Sequence, residues 1–254
     1  LDEENGMTEE TAYQMDLKDG SITVYIGANG KQYVQQGDNE AQQRGNLYIT
    51  TDGGQTPNTL TIRGGDSTAA KVTLSNVNIN ASGAAVSVSG NVELVIEGTN
   101  TLHSGENHAG VEKADDNGTL TISGSGTLEA SGGRGGAGIG SGSQKGCSNI
   151  VIESGTIIAH GGEWGAGIGS GNVGNRPGAL GGSNITINDG DVTAYGGSEA
   201  AGIGGGFKGN GKDITINGGT VHAESGGGEK VAAIGGGRVD GKGENIQLTG
   251  GNVT

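Results

Sequence analysis

One Trp, one Phe and five Tyr are the only aromatic residues of this sequence, so the places they hold carry information. Trp164 and Phe207 flank copies of an Ala-Gly-Ile-Gly string in neighbouring repeats, and His160 and Tyr195 stand a few residues ahead of such strings. Aromatic rings and hydroxyl or amide groups on a rigid scaffold are how many proteins hold a sugar. The chemistry would be a sugar face laid on glycine backbone, with Trp164 stacked beside it. The alternative is that each ring covers a turn or a neighbouring loop.

Charged residues suggest two further chemistries. Lys145, Arg176, Lys208, Lys212, Arg238 and Lys242 are six of the eight basic residues after position 118, and all read as parts of long loops on one edge. A basic ridge of that kind would suit acidic glycans such as uronate polymers or sialylated chains. Equally, the charges could keep glycine-rich loops soluble and hinder edge-to-edge pairing of strands. Cleavage of uronate polymers by a lyase or hydrolase would need clustered carboxylates, or an acidic calcium site beside a base. Asp189 and Asp191 flank Gly190, and Asp115-Asp116 form another pair, but neighbouring repeats place Ser125, Ser154 or Gly218-Gly219 at such turns. These are read as isolated acidic turns, so no catalytic residue is assigned. No organic cofactor is expected; a structural calcium at an acidic turn is the one ion the residues admit. His103, His108, His160 and His222 are read as not all sharing one column, and Cys147 as a thiol in a polar loop, which argues against a transition-metal site.

The elements that must position these residues repeat. Gly-Ala-Gly-Ile-Gly-Ser-Gly at 136–142 returns at 165–171, and again as Ala-Gly-Ile-Gly-Gly-Gly at 201–206 and Ala-Ala-Ile-Gly-Gly-Gly at 232–237. Each copy belongs to a unit of about thirty residues, the period of a solenoid. A first strand reads Leu120-Thr121-Ile122, Ile150-Val151-Ile152, Ile185-Thr186-Ile187, Ile214-Thr215-Ile216 and Ile246-Gln247-Leu248. A second reads Thr127 to Ala130, Thr156 to Ala159, Asp191 to Ala194 and Thr220 to Ala223, and the glycine string is the third. Intervals are too short for crossover helices, so parallel strands must be joined by turns, which describes one rung of a parallel β-helix.

Upstream, shorter strands begin at Ser21-Ile22-Thr23-Val24 and continue through Val92 to Ile96. The expected organisation is an acidic leader or cap over 1–16, then a single β-helix over 17–254 of about nine or ten rungs, irregular to about 118 and regular over 119–254. Alternation of side chains assigns the faces. Ile185, Ile187, Val192, Ala194, Ala201 and Ile203 point inward. Glu129, Ile158, Thr193 and His222 form one outward column, and Ser131, His160, Tyr195 and Glu224 another. Asn149, Asn184, Asp213 and Asn245 fall in register as a hydrogen-bonded ladder. On the third strand the outward positions are glycines, which predicts a flat strip of exposed backbone bordered by Trp164 and Phe207.

Composition agrees with a thin, layered β structure: 58 glycines and 31% hydrophobic residues leave too little apolar volume for a wide core. There is no Gly-X-Y period, so collagen is excluded. A formal net charge of −14 makes nucleic acid a poor partner. No apolar run approaches the length needed to cross a membrane, so membrane insertion is not expected. A single cysteine excludes an internal disulfide framework. The acidic start and the end in mid-pattern suggest part of a longer multidomain chain.

The pattern Gly-Gly-x-x-x-Ala-Gly-Ile-Gly-Ser/Gly-Gly, followed by Ile-Thr-Ile-Asn-x-Gly-x-Val-x-Ala-x-Gly-Gly, resembles a family of glycine-rich repeat proteins. These are large secreted or cell-wall-attached proteins of anaerobic Gram-positive bacteria, many from the gut. Asp16 to Val24 and Val72 to Ile79 match the family's lead-in rungs, so the resemblance covers roughly 16–254. It implies an all-β, right-handed, pectin-lyase-like parallel β-helix with three short strands per rung, in an extracellular setting. It also implies a carbohydrate-binding or adhesin-like role, for which polysaccharides or glycoprotein glycans would be the partners. No catalytic residue belongs to the shared motif. A non-catalytic binding module is therefore the expected function, with a uronate-polymer lyase or hydrolase, or a structural stalk, as the alternatives.

Overall fold

The computed structural model describes residues 12–113, 117–174 and 181–254. They form a right-handed parallel β-helix whose three sheets are built from the first, second and third strands of each turn. The first sheet has nine strands, the second eight and the third ten. Within the regular part the first sheet contains Leu120–Gly124, Cys147–Ile152, Gly182–Ile187, Gly211–Ile216 and Gly243–Leu248. The second contains Thr127–Ser131, Thr156–His160, Asp191–Tyr195 and Thr220–Glu224, and the third only the dipeptides Ile139–Gly140, Ile168–Gly169, Ile203–Gly204 and Ile234–Gly235. Among the described residues, the single helical element is a 3-10 turn, Leu17–Asp19.

Parallel pairing in strict register stacks identical positions, so the core is a set of columns. Ile150, Ile185 and Ile214 form one and Ala130, Ala159 and Ala194 another, all fully buried. Aliphatic side chains of one size repeat every rung, and this fills a narrow core without aromatics. A buried polar residue interrupts the columns at Asn100, whose Oδ1 accepts from Val77 N and whose Nδ2 donates to the carbonyls of Glu97 and Thr127. With every polar group satisfied, its burial is tolerated.

The asparagine ladder is present, with a backbone cause that alternation does not reveal. Asn149, Asn184, Asp213 and Asn245 all adopt left-handed φ values of 51 to 61°. Asn and Asp tolerate this conformation better than other non-glycine residues. Each sits inside its strand as a kink, skipped by the pairing register on either side. Asn184 Nδ2 donates to Asn149 Oδ1, and Asn245 Nδ2 donates to Asp213 Oδ1. A second ladder runs along the next turn: Asn217 Nδ2 donates to Asn188 Oδ1, and Asn188 Nδ2 to Glu153 Oε2.

Two further features went unread in the sequence. Residues Tyr13–Asp16, at the end of the stretch assigned to a leader or cap, pair in parallel with Leu47–Thr50 and so belong to the first sheet. Ile22–Ile26 pairs antiparallel with Gln32–Gln36, which pairs antiparallel with Gln42–Gln43, so the third sheet ends in a meander there. Residues 1–11 of the leader, together with Asp115-Asp116 and Arg176, lie outside the described residues.

Candidate functional site

Over the turns of Gly138, Gly167 and Gly202 the glycine strip is not a surface, whereas at the last turn the corresponding residue, Ala233, is exposed as the alternation implied. Gly138, Gly140, Gly167, Gly169, Gly202 and Gly204 are buried, as are Ser141 and Ser170 that follow two of them. The expectation of bare, exposed backbone is therefore corrected: the side on which Gly138, Gly167 and Gly202 would carry a Cβ is filled by backbone of the next turn and of the second-sheet strands, and paired loops flank the third strand. In the loop before it, Asn107, Gly135, Trp164 and Glu199 repeat a left-handed φ between 64 and 82°. Their carbonyls accept from Ser143, Asn172, Phe207 and Arg238 N, in the loop after the third strand of the next turn, at 2.8 to 2.9 Å. This backbone ladder ties the loops of successive turns together beside the strip. A Cβ built on Gly138 would stand 2.7 Å from both Gly167 O and His160 N, and one on Gly167 would stand 2.7 Å from Gly202 O. Glycine recurs there because backbone passes over backbone.

Trp164 and Phe207 meet, but as part of this cover. Their ring centroids are 6.4 Å apart with planes tilted by 39°. The Arg134 guanidinium lies 4.6 Å from the Trp164 centroid and bonds to Glu163 at 3.1 Å. Lys208 Nζ is 5.3 Å from the Phe207 centroid. Both rings are half-buried, and Trp164 carries the Arg134 guanidinium over its ring and Phe207 beside it, so a sugar stacking on Trp164 would compete with these partners.

The basic ridge is broken up in the same way. Lys145 Nζ reaches the buried Glu112 carboxylate at 3.2 Å, and Arg238 is paired with Glu199. Lys212 lies on a first-sheet strand, in the column of Ser148, Ser183 and Glu244, with Asp213 3.8 Å away. Glu112 itself occupies the column position of Gly140 and receives His108 Nδ1 at 2.8 Å and Ala109 N at 3.2 Å, which holds it under the loops. Cys147 is likewise corrected: it opens a first-sheet strand, in register with Gly182, and is buried in the core.

What the structure does bring together is the outer face of the second sheet. The two outward columns are those read from alternation: Glu129, Ile158, Thr193, His222 and Ser131, His160, Tyr195, Glu224. His103 lies in the second column, two strands before His160, so these two histidines do share a column. His160 and Tyr195 stack with centroids 5.0 Å apart and planes at 11°. His222 meets Tyr195 edge-on at 6.0 Å. Carboxylates flank the group: Glu129 lies 3.9 Å from His160 Nε2, and Glu224 3.7 Å from His222 Nε2. The His160 and His222 side chains are 39% and 45% exposed, so the group is accessible.

The stacking direction decides what this face can do. His160 and Tyr195 are partners on neighbouring strands, so their faces turn toward each other along the solenoid axis and their edges turn outward. The face thus presents imidazole N–H, phenol O–H, threonine hydroxyl and carboxylate groups as a comb of donors and acceptors. No Lys or Arg stands in either column from Thr101 to Glu224. Among the described residues, no group of three or more His, Cys, Asp or Glu side chains is placed to hold a metal ion. Asp189 accepts from its own turn at Gly190 N, 2.8 Å away. Depressions of about 410 Å³ beside Arg238 and Val239, and about 310 Å³ beside Tyr13 and Val34, include no residue of the comb.

Among the described residues, no helix is long and apolar enough to cross a membrane. The family model described as a beta helix repeat matches residues 120–143, 150–172, 185–207 and 214–238. Neither the curated proteins nor the solved structures hold a match to the chain. Each matched stretch runs from a first strand through the glycine string, the unit that the three sheets stack, so over these residues the chain is similar to the beta helix repeat, in keeping with its parallel β-helix fold.

Proposed function

We propose that this protein is a non-catalytic extracellular binding or adhesion module for the glycans of a polysaccharide or glycoprotein. In this reading it is displayed as part of a longer secreted or wall-attached chain. The observation that carries it is the partly exposed comb of Glu129, His160, Thr193, Tyr195, His222 and Glu224 on a rigid sheet. Sugars are recognised through arrays of hydroxyl groups, and a row of fixed donors and acceptors answers such an array at little entropic cost. The side chains are held by strand register rather than by loops, so the site is preorganised.

The ligand class follows from the charges. The comb has two carboxylates and no Lys or Arg, while Lys145, Lys212 and Arg238 are turned to local acidic partners. A polyanion would meet repulsion there, so neutral glycans are favoured over uronate or sialylated ones. The test is a glycan array probed with the protein and with a Tyr195→Ala, His222→Ala double variant. Retention of neutral glycans by the first and their loss by the second supports the reading. Equal retention by both would remove the comb from the account.

A further inference from the structure

The comb has a direction as well as a composition. Its residues recur once per turn, in register, over four consecutive second-sheet strands from Thr127–Ser131 to Thr220–Glu224. Neighbouring strands are spaced by about 4.8 Å, close to the length that one hexose spans in an extended, β-linked chain. The 5.0 Å separation of the His160 and Tyr195 rings along their column follows that spacing, and the His222 ring meets Tyr195 diagonally from the other column. Resting on the binding function proposed above, we infer that the ligand is the interior of a linear, neutral, β-linked polysaccharide. It lies parallel to the solenoid axis, one sugar residue over each turn.

Each turn then offers its own contacts. Glu129 and Ser131 serve one sugar, and Ile158 and the His160 edge the next. Thr193 and the Tyr195 hydroxyl serve the third, and His222 and Glu224 the fourth. Carboxylates at the two extremes accept from sugar hydroxyls, whereas Tyr195, Thr193 and the imidazoles can donate. The 410 and 310 Å³ depressions include no residue of the row. In this arrangement a chain runs past the row, and its termini need not be recognised. Branches on the outward side of the polymer are tolerated, and branches facing the sheet are not.

The experiment is a length series. Cello-, xylo- and manno-oligosaccharides from disaccharide to octasaccharide are titrated into the protein by calorimetry. In the series that binds, each added sugar up to the tetrasaccharide should tighten binding by about threefold to tenfold, the worth of one net hydrogen bond. Beyond that length the gain should fall to the small statistical factor of extra binding frames, and blocking the reducing end should change nothing. Tyr195→Phe keeps the ring stack and removes only the edge hydroxyl. It should weaken the tetrasaccharide and longer ligands while leaving thermal stability unchanged.

Affinity that is already complete at the disaccharide would overturn the axial arrangement and leave glycan binding standing. So would retention of branched or acidic glycans alone on the array. Absence of binding to every glycan there would overturn both.

Discussion

Gly167→Ala tests whether the glycine string is a backbone crossing or an exposed strand. A methyl group there would sit 2.7 Å from Gly202 O, 2.8 Å from Tyr195 N and 2.9 Å from Ala194 C. All three are backbone atoms, so none can swing aside as a long side chain would. Making room means separating the third-sheet chain from Asp191–Tyr195 by several tenths of an ångström. The bonds that resist are Gly167 N to Ala201 O at 3.2 Å and Ile168 N to Gly202 O at 2.9 Å. Overpacking of this kind costs roughly 1–3 kcal/mol, and one weakened hydrogen bond about 1 more, so the expected loss is about 3 kcal/mol. Gly83 is the control: no atom comes within 4 Å of a Cβ built there. Gly83→Ala should be neutral or stabilise by up to about 1 kcal/mol through the unfolded chain. Urea unfolding followed by circular dichroism and by the fluorescence of Trp164, the sole tryptophan and a neighbour in the same turn, reads both variants. A Gly167→Ala midpoint equal to that of the parent would refute the buried strip, because an outward position on an open strand accepts alanine freely.

Other outcomes follow from the same contacts. In the asparagine ladder, Asn184→Ala should cost about 1–2 kcal/mol because its left-handed φ disfavours a Cβ. Asn184→Gly should recover part of that loss, so denaturation midpoints should rank Asn, then Gly, then Ala. Glu112→Ala removes the carboxylate shared by His108, Ala109 N and Lys145, and should lower stability by about 2 kcal/mol or more in the same assay. By contrast, the partly exposed Arg134–Glu163 pair should contribute under about 1 kcal/mol, seen as a small midpoint change in Arg134→Ala. Cys147 should react with a thiol reagent only as fast as its strand opens, and labelling in the native state as quick as in urea would contradict its burial. Binding of a neutral glycan to the comb should hardly change between low and high ionic strength. A steep fall would restore the basic ridge.

The fold was legible because its physics is periodic. Ile-Thr-Ile and Val-x-Ala recur at fixed places, and alternation alone put Ile185, Val192 and Ile203 in the core and Thr193, Tyr195 and His222 outside it. The outward columns of the comb were thus readable residue by residue. Alternation failed on the third strand, since it treats every strand as having one wet face and cannot see the second-sheet backbone packed against it. The signal was there in another form: an exposed position accepts any residue, whereas Gly138, Gly167 and Gly202 repeat in register. Cys147 was misplaced for a similar reason, since its register partners Gly182, Gly211 and Gly243 look like loop residues. The antiparallel strand Gln32–Gln36 escaped notice because Val34 is its single buried residue. The direction in which the rings stack depends on side-chain torsions, and sequence spacing does not encode those.

The account rests most heavily on the comb as the place of recognition, and one comparison bears on it directly. The affinity of the protein for its neutral glycan is measured beside that of Tyr195→Phe and that of Trp164→Ala, with folding checked by circular dichroism. The predicted result is a loss of about threefold or more in Tyr195→Phe and near-parent affinity in Trp164→Ala, whose ring covers a loop. Full affinity in Tyr195→Phe with binding lost in Trp164→Ala would contradict the account and return the site to the loops above the glycine strip.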